Sequence, residues 1–149
     1  MRPRYSASLS RGNDVAQRAY LLDTNVLLAA LIAPERLTSE VRQWLANPEN
    51  VIYFSAASIW EIAIKRSLNR EGFDFSPEDI HGLALATGFT ELPIHSTHCY
   101  PIAHMVWHHR DPFDRILIAQ AQSLPAYLLT TDGMLSQYSN LVMRITQTS

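Results

Sequence analysis

Ala19-Tyr20-Leu21-Leu22-Asp23-Thr24-Asn25-Val26-Leu27-Leu28-Ala29-Ala30-Leu31-Ile32-Ala33 is an apolar run that changes its period at an acid. Residues 19–23 read as a buried strand. From Thr24 onward, Leu27, Leu28, Leu31 and Ile32 fall at helical spacing until Pro34 stops the helix. A strand that passes straight into a helix through an Asp is the first half of a strand–helix–strand unit, and it puts a carboxylate at the strand's carboxyl end.

The same alternation continues downstream. Leu37, Val41, Trp44 and Leu45 mark a second helix, ended near Asn47-Pro48, and residues 51–54 form a second strand. Ser55 or Ser58 can cap the next helix, which carries Ile59, Trp60, Ile62, Ala63 and Ile64. Ser76-Pro77-Glu78-Asp79 has a cap residue, a first-turn proline and early acids, and the helix it starts runs to Gly88. Residues 89–93 read as a third strand and residues 95–106 as a further helix. Asp111-Pro112 opens a helix over residues 113–124; residues 126–130 and 141–145 supply the last two strands. Strands alternating with helices predict an α/β fold: a three-layer α/β/α domain around a mostly parallel, roughly five-stranded sheet. The domain is expected over residues 19–149, with residues 1–18, which lack periodicity, as a flexible N-terminal lead-in.

Composition narrows the function classes. A chain of 149 residues with 47% hydrophobic and 17% charged residues suits one ordinary globular domain. Its net charge of -2 provides no overall basic field, so nucleic acid must be held by local patches or by metal ions bridging to phosphate. Lys65 is the only lysine, and Cys99 is the only cysteine, which excludes an intrachain disulfide. No continuous apolar segment follows the N-terminal arginines at signal-peptide distance. The longest apolar run, residues 26–33, is too short to span a bilayer. A cytoplasmic protein without a membrane partner is expected.

The chemistry resides in the acids. Asp23 and Asp132 close apolar strands, and in open parallel sheets sites form beyond the carboxyl ends of strands. Asp111 and Asp114 sit at a helix start that faces the same edge, where a cap and a capping box explain them equally well. Asp23 also reads as a cap, and Asp132, before Gly133, as a turn residue. Glu61 can pair with Lys65 one turn on, but it lies in an otherwise apolar helix, which favours a carboxylate aimed at something. Several carboxylates crowded together repel each other, and Mg²⁺ or Mn²⁺ would reverse that repulsion; hard oxygen donors without a cysteine cluster favour these ions over zinc. The competing metal site is the run of His95, His98, Cys99, His104, His108 and His109, for which capping or solvated histidines are the default reading. Of the tryptophans, Trp44 and Trp60 are assigned to the core or to a subunit contact, and Trp107 is the better candidate for stacking on bases.

Four pieces in order, Asp23-Thr24-Asn25, Ser55 through Glu61, His109-Arg110-Asp111-Pro112-Phe113-Asp114-Arg115 and Thr130-Thr131-Asp132, make residues 19–145 resemble PIN-domain ribonucleases, specifically VapC-type toxins of toxin–antitoxin pairs. That resemblance implies a homodimer, a cognate VapB-like antitoxin through which DNA is met only indirectly, and Mg²⁺- or Mn²⁺-dependent cleavage of RNA. The family's acids carry over to Asp23, Glu61, Asp114 and Asp132, as metal and catalytic positions. Thr24, Asn25, Asp111 and Thr130 are expected to support them, and Arg115 and His109 to face substrate. Attack by water would leave a 5′-phosphate and a 3′-hydroxyl. Three rivals remain open. A phosphotransfer domain needs a late lysine, which Lys65 is not. A phosphatase needs an Asp-x-Asp nucleophile, where this chain has Asp23-Thr24-Asn25. A catalytically inactive PIN-like binding module would not need the acid set.

Overall fold

The computed structural model describes residues 17–69, 72–106 and 111–147. In chain order it contains β1 (Ala19–Leu22), α1 (Thr24–Ile32), α2 (Ser39–Ala46), β2 (Val51–Ser55), α3 (Ala56–Ser67), α4 (Pro77–Thr87), β3 (Thr90–Leu92), α5 (Ser96–Cys99), α6 (Pro112–Ser123), β4 (Tyr127–Thr130) and β5 (Val142–Arg144). The strands make one five-stranded sheet in the order β3-β2-β1-β4-β5, and all four pairings are parallel.

Side chains alternate across the strands and so feed two cores. Tyr20, Leu22, Ile52, Phe54 and Leu129 pack with Val26 and Leu27 of α1, Val41 and Leu45 of α2, Ile62 of α3, and Ile80 and Ala84 of α4. Leu21, Leu128 and Val142 point the other way, onto Ile116, Leu117, Ile118 and Ala121 of α6. Central strands buried on both faces explain why residues 19–22 are an unbroken apolar run rather than an alternating one.

The helix starts are set by short polar side chains that accept orphan backbone N–H groups. Asp23 caps α1 through Val26, Ser55 caps α3 through Ala57, Ser76 caps α4 through Asp79, and Asp111 caps α6 through Phe113. Gly88 ends α4 at φ +97°, a left-handed conformation that a Cβ would penalise. The helix expected over residues 95–106 is not continuous. It is one short turn, α5, followed by a 3-10 turn over Tyr100–His104, because Pro101 lacks the N–H that the α-helical ladder needs. The expected lead-in over residues 1–18 lies almost wholly outside the described residues. No described helix is long and apolar enough to cross a membrane.

The strand order decides where a site can form. The chain winds outward from β1 through β2 to β3 on one side, then returns to place β4 and β5 on the other. The switch between β1 and β4 opens a crevice at their carboxyl ends. Asp23 follows β1 at this point, and Thr130 ends β4 beside it.

Candidate active site at the carboxyl edge of the sheet

Asp23 is the centre of the crevice. Only 6% of it is exposed. Its backbone N–H donates to the Leu129 carbonyl at 3.0 Å, which locks it against β4. Its Oδ1 accepts the Val26 N–H at 2.8 Å, so the carboxylate that caps α1 is also the one that faces the switch point. The cap and the functional reading are therefore not alternatives: the same geometry satisfies both.

Burial pushes the Asp23 carboxyl up from 3.8 to about 6, and the negative charges of Glu61 and Asp132 add to the rise. Hydrogen bonds from the Thr130 hydroxyl and the Val26 N–H work in the opposite direction and do not overcome burial. The second turn of α3 and the segment after β4 thus each bring an acid within electrostatic reach of Asp23 at the end of β1.

Glu61 is positioned by two neighbours. Its Oε1 lies 2.6 Å from the Thr24 hydroxyl and its Oε2 lies 2.9 Å from the Lys65 ammonium. Thr24 Oγ1 also stands 2.9 Å from Ser58 Oγ. A hydroxyl has a single proton and a carboxylate can only accept, so Thr24 donates to Glu61 and accepts from Ser58. The Lys65 pair was foreseen as the bland reading of Glu61; here it coexists with a carboxylate turned inward, only 13% exposed.

Thr130 is fully buried and accepts the Asp132 N–H at 3.0 Å, tying the last acid to the end of β4. Asp132 Oδ1 caps the 3-10 turn over Gly133–Gln137 through the Met134 N–H at 2.9 Å. Asp111 is the cap of α6, and Asp114 lies half-buried in its first turn. The start of α6 is held beside α3 by an edge-to-face contact between Phe113 and Trp60, with ring centroids 4.9 Å apart.

The remaining nominated residues are placed as follows. Asn25 is exposed on the first turn of α1. Arg115, expected to face substrate, is 6% exposed within α6. Trp60, assigned to the core or a subunit contact, is 58% exposed, which rules out the core and leaves the subunit contact; the apolar stripe of α3 is carried inward by Ala57 and Ile62. Trp44 does pack inward, stacked on Tyr20 at 5.5 Å. His109 and Trp107 lie outside the described residues. The His98 ring accepts the His95 backbone N–H at 2.9 Å, so that pair's helical spacing serves a cap, and burial lowers the His98 pKa, which keeps the ring neutral.

Sequence reasoning named Ser58 only as a possible cap, not as a partner of Thr24, and missed Gln120. Gln120 is fully buried; its Oε1 accepts the Ser55 hydroxyl at 2.6 Å and its Nε2 donates to the Pro93 carbonyl at 3.3 Å. One amide thereby fastens α6 to the β2–α3 junction. The available signal was a polar residue inside the apolar run Ile116-Leu117-Ile118-Ala119-Gln120-Ala121.

The donor chemistry here is hard carboxylate oxygen, which fits Mg²⁺ or Mn²⁺; the upward shift of Asp23 comes first from burial, with the charges of Glu61 and Asp132 adding to it. Among the described residues no three His, Cys, Asp or Glu side chains already stand as a closed metal cage. Asp23 feels the charges of Glu61 and Asp132.

Thr24→Val tests the positioning of Glu61. It keeps the side-chain shape, removes the donor to a buried carboxylate and strands the Ser58 proton, so stability should fall by about 1–2 kcal/mol. Thr24→Ser should recover most of the loss, as measured by urea midpoints.

The family model of the PIN domain matches residues 20–141, and the chain belongs to the PIN domain family. Among solved structures, VapBC2 from Rickettsia felis, bound to a DNA fragment from its promoter, is similar with a TM-score of 0.62 at 14% identity, over 83% of this chain and 96% of that one. VapBC-1 from nontypeable Haemophilus influenzae gives 0.54 at 20% identity, over 80% and 90% of the two chains. Mycobacterium tuberculosis VapC20, a sarcin–ricin loop cleaving toxin, gives 0.54 at 17% identity, over 79% and 93%. Identities this low carry likeness of fold alone. Comparison with curated protein sequences finds no match.

Proposed function

We propose that the protein is a Mg²⁺- or Mn²⁺-dependent endoribonuclease, the VapC-type toxin of a toxin–antitoxin pair. It acts in the cytoplasm as a homodimer and is inhibited by a VapB-like antitoxin, through which alone it meets DNA. The observation that carries this reading is Asp23: a carboxylate buried at the switch point, with a protonation equilibrium raised to about 6 and with Glu61 and Asp132 adding to the repulsion. A fold gains no stability from such an arrangement unless a cation joins it. The choice of toxin among PIN proteins follows the likeness of fold to VapBC assemblies and to a sarcin–ricin loop cleaving VapC.

Asp23, Glu61 and Asp114 would hold the ion, with Asp132 completing the pocket directly or through water. The bound ion supplies Lewis-acid activation of the phosphodiester and of the attacking water. The chain's own residues do the positioning. Thr24 and Lys65 aim the two oxygens of Glu61, and Thr130 holds Asp23 and the Asp132 backbone in one register. Packing of α1, α3 and β4 excludes bulk water behind Asp23, which strengthens every charge interaction on its open side.

Incubating the purified protein with total RNA and Mg²⁺ or Mn²⁺, then mapping the cut ends, tests the proposal. Discrete cuts bearing 5′-phosphate and 3′-hydroxyl ends, abolished by a chelator, are expected. Ends carrying a 2′,3′-cyclic phosphate would mean attack by the ribose hydroxyl and would refute the water mechanism. Intact RNA in the presence of either ion would refute the nuclease reading.

A further inference from the structure

Lys65 is the only lysine of the chain, and its ammonium stands 2.9 Å from Glu61 Oε2. Pairs one helical turn apart contribute little when both partners are solvated. These two are not: the Lys65 side chain is 32% exposed and that of Glu61 13%. The same ammonium lies 5.8 Å from the centroid of the Phe73 ring, within reach of a cation–π attraction. Phe73 in turn meets Phe75 edge-to-face at 5.2 Å, and both rings pack against the core. Lys65 is therefore placed by packing as well as by charge. Thr24 donates to the other oxygen of Glu61, so the chain supplies a donor to each. The two donors differ in kind. The hydroxyl is neutral, whereas the ammonium brings a full positive charge to the carboxylate.

We infer that Lys65 is a built-in competitor of the divalent ion for Glu61, and that it sets the ion concentration at which the site fills. The inference rests on the nuclease reading, in which Glu61 is one of the metal-holding acids, and it names what regulates loading there. Two cations that share one carboxylate repel each other, and partial burial limits the screening of that repulsion. Linkage makes the coupling reciprocal: an ammonium that stabilises Glu61 in the metal-free protein weakens metal binding by the same factor. Lysine suits the role better than arginine. Its ammonium is a compact charge on a flexible stem, whereas a guanidinium fork is shaped to take both carboxylate oxygens at once. If Lys65 only positioned Glu61, its removal would loosen a ligand and weaken metal binding. As a competitor, its removal strengthens metal binding, because Thr24 still holds Oε1. The sign of the effect separates the two roles.

The test is Mn²⁺ binding to the full chain, followed by the electron paramagnetic resonance signal of the free ion, with no RNA present. Lys65→Met removes the charge and keeps an apolar stem against Phe73. Lys65→Gln removes the charge with a different stem, so a packing fault in one variant is not shared by the other. Lys65→Arg keeps the charge. Both neutral variants should bind Mn²⁺ at least about fivefold more tightly than the wild type, and Lys65→Arg no more tightly than the wild type. By the same linkage, Mn²⁺ should raise the thermal midpoints of the neutral variants further than that of the wild type. Equal or weaker Mn²⁺ binding by both neutral variants overturns the competitor role and leaves the nuclease reading standing. Tighter binding by Lys65→Arg as well shows that charge is not the cause and overturns it too. Mn²⁺ binding that Asp23→Asn leaves undiminished, or no binding by any of these proteins, overturns the metal site and the inference together.

Discussion

Asp23→Asn should abolish metal-dependent RNA cleavage, by at least about a hundredfold, while making the metal-free protein more stable. Electrostatic groups placed where charge develops supply losses of this size when removed. The fold should survive, because Asn is as good a helix cap as Asp and can still accept the Val26 N–H. The stability gain follows from linkage. The Asp23 carboxyl is raised from 3.8 to about 6 by burial and by Glu61 and Asp132. Between those values the native state binds more protons than the unfolded state, so stability falls as pH rises through the window. Below about pH 4 the wild type and the variant should therefore be equally stable on this account. Above about pH 6 the variant should lead by up to ~3 kcal/mol, the two-unit shift expressed as free energy. Thermal melts from pH 4 to 8 in chelator read this directly. A wild type that gains stability with rising pH over that window would refute the burial argument. Adding Mn²⁺ should raise the wild-type midpoint by mass action and raise that of Asp23→Asn far less.

Gln120→Ala should be the most destabilising change near the site, at about 2–4 kcal/mol. It opens a cavity in a position with no exposure and leaves the Ser55 proton and the Pro93 carbonyl without their partner. Gln120→Leu fills most of the volume but still strands those polar groups, so it should cost about 1–3 kcal/mol. Activity should fall in both, because the amide is what ties α6, with Asp114, to the β2–α3 junction that leads to Glu61. Urea midpoints and cleavage rates on the same preparations check this. An unchanged midpoint in Gln120→Leu would show that the link between the elements lies elsewhere.

Local patterns carried most of the fold. Apolar strand runs, cap residues at Asp23, Ser55, Ser76 and Asp111, and the stop at Gly88 were legible because each is decided by neighbours within one or two turns. The broken helix after His95 was misread although Pro101 was in plain sight, since the apolar and histidine spacing on either side outweighed it. The acids at Asp23, Glu61, Asp114 and Asp132 could be nominated from their placement beyond strands and at helix starts. Their status as caps, ion pairs or site residues could not be decided singly. Asp23 and Glu61 turned out to be both structural and inward-facing.

The elements, their order and the acids that could matter are readable along the chain, because period, capping and turn chemistry act at short range. Which side chains are buried together is set by the folded arrangement. It joined Thr24 to Glu61 and Ser58 across 37 and 34 positions and Ser55 to Gln120 across 65, and it turned Trp60 outward and Arg115 inward. Those outcomes depend on which faces the helices press against the sheet, a property of long-range packing that no stretch of the chain contains alone.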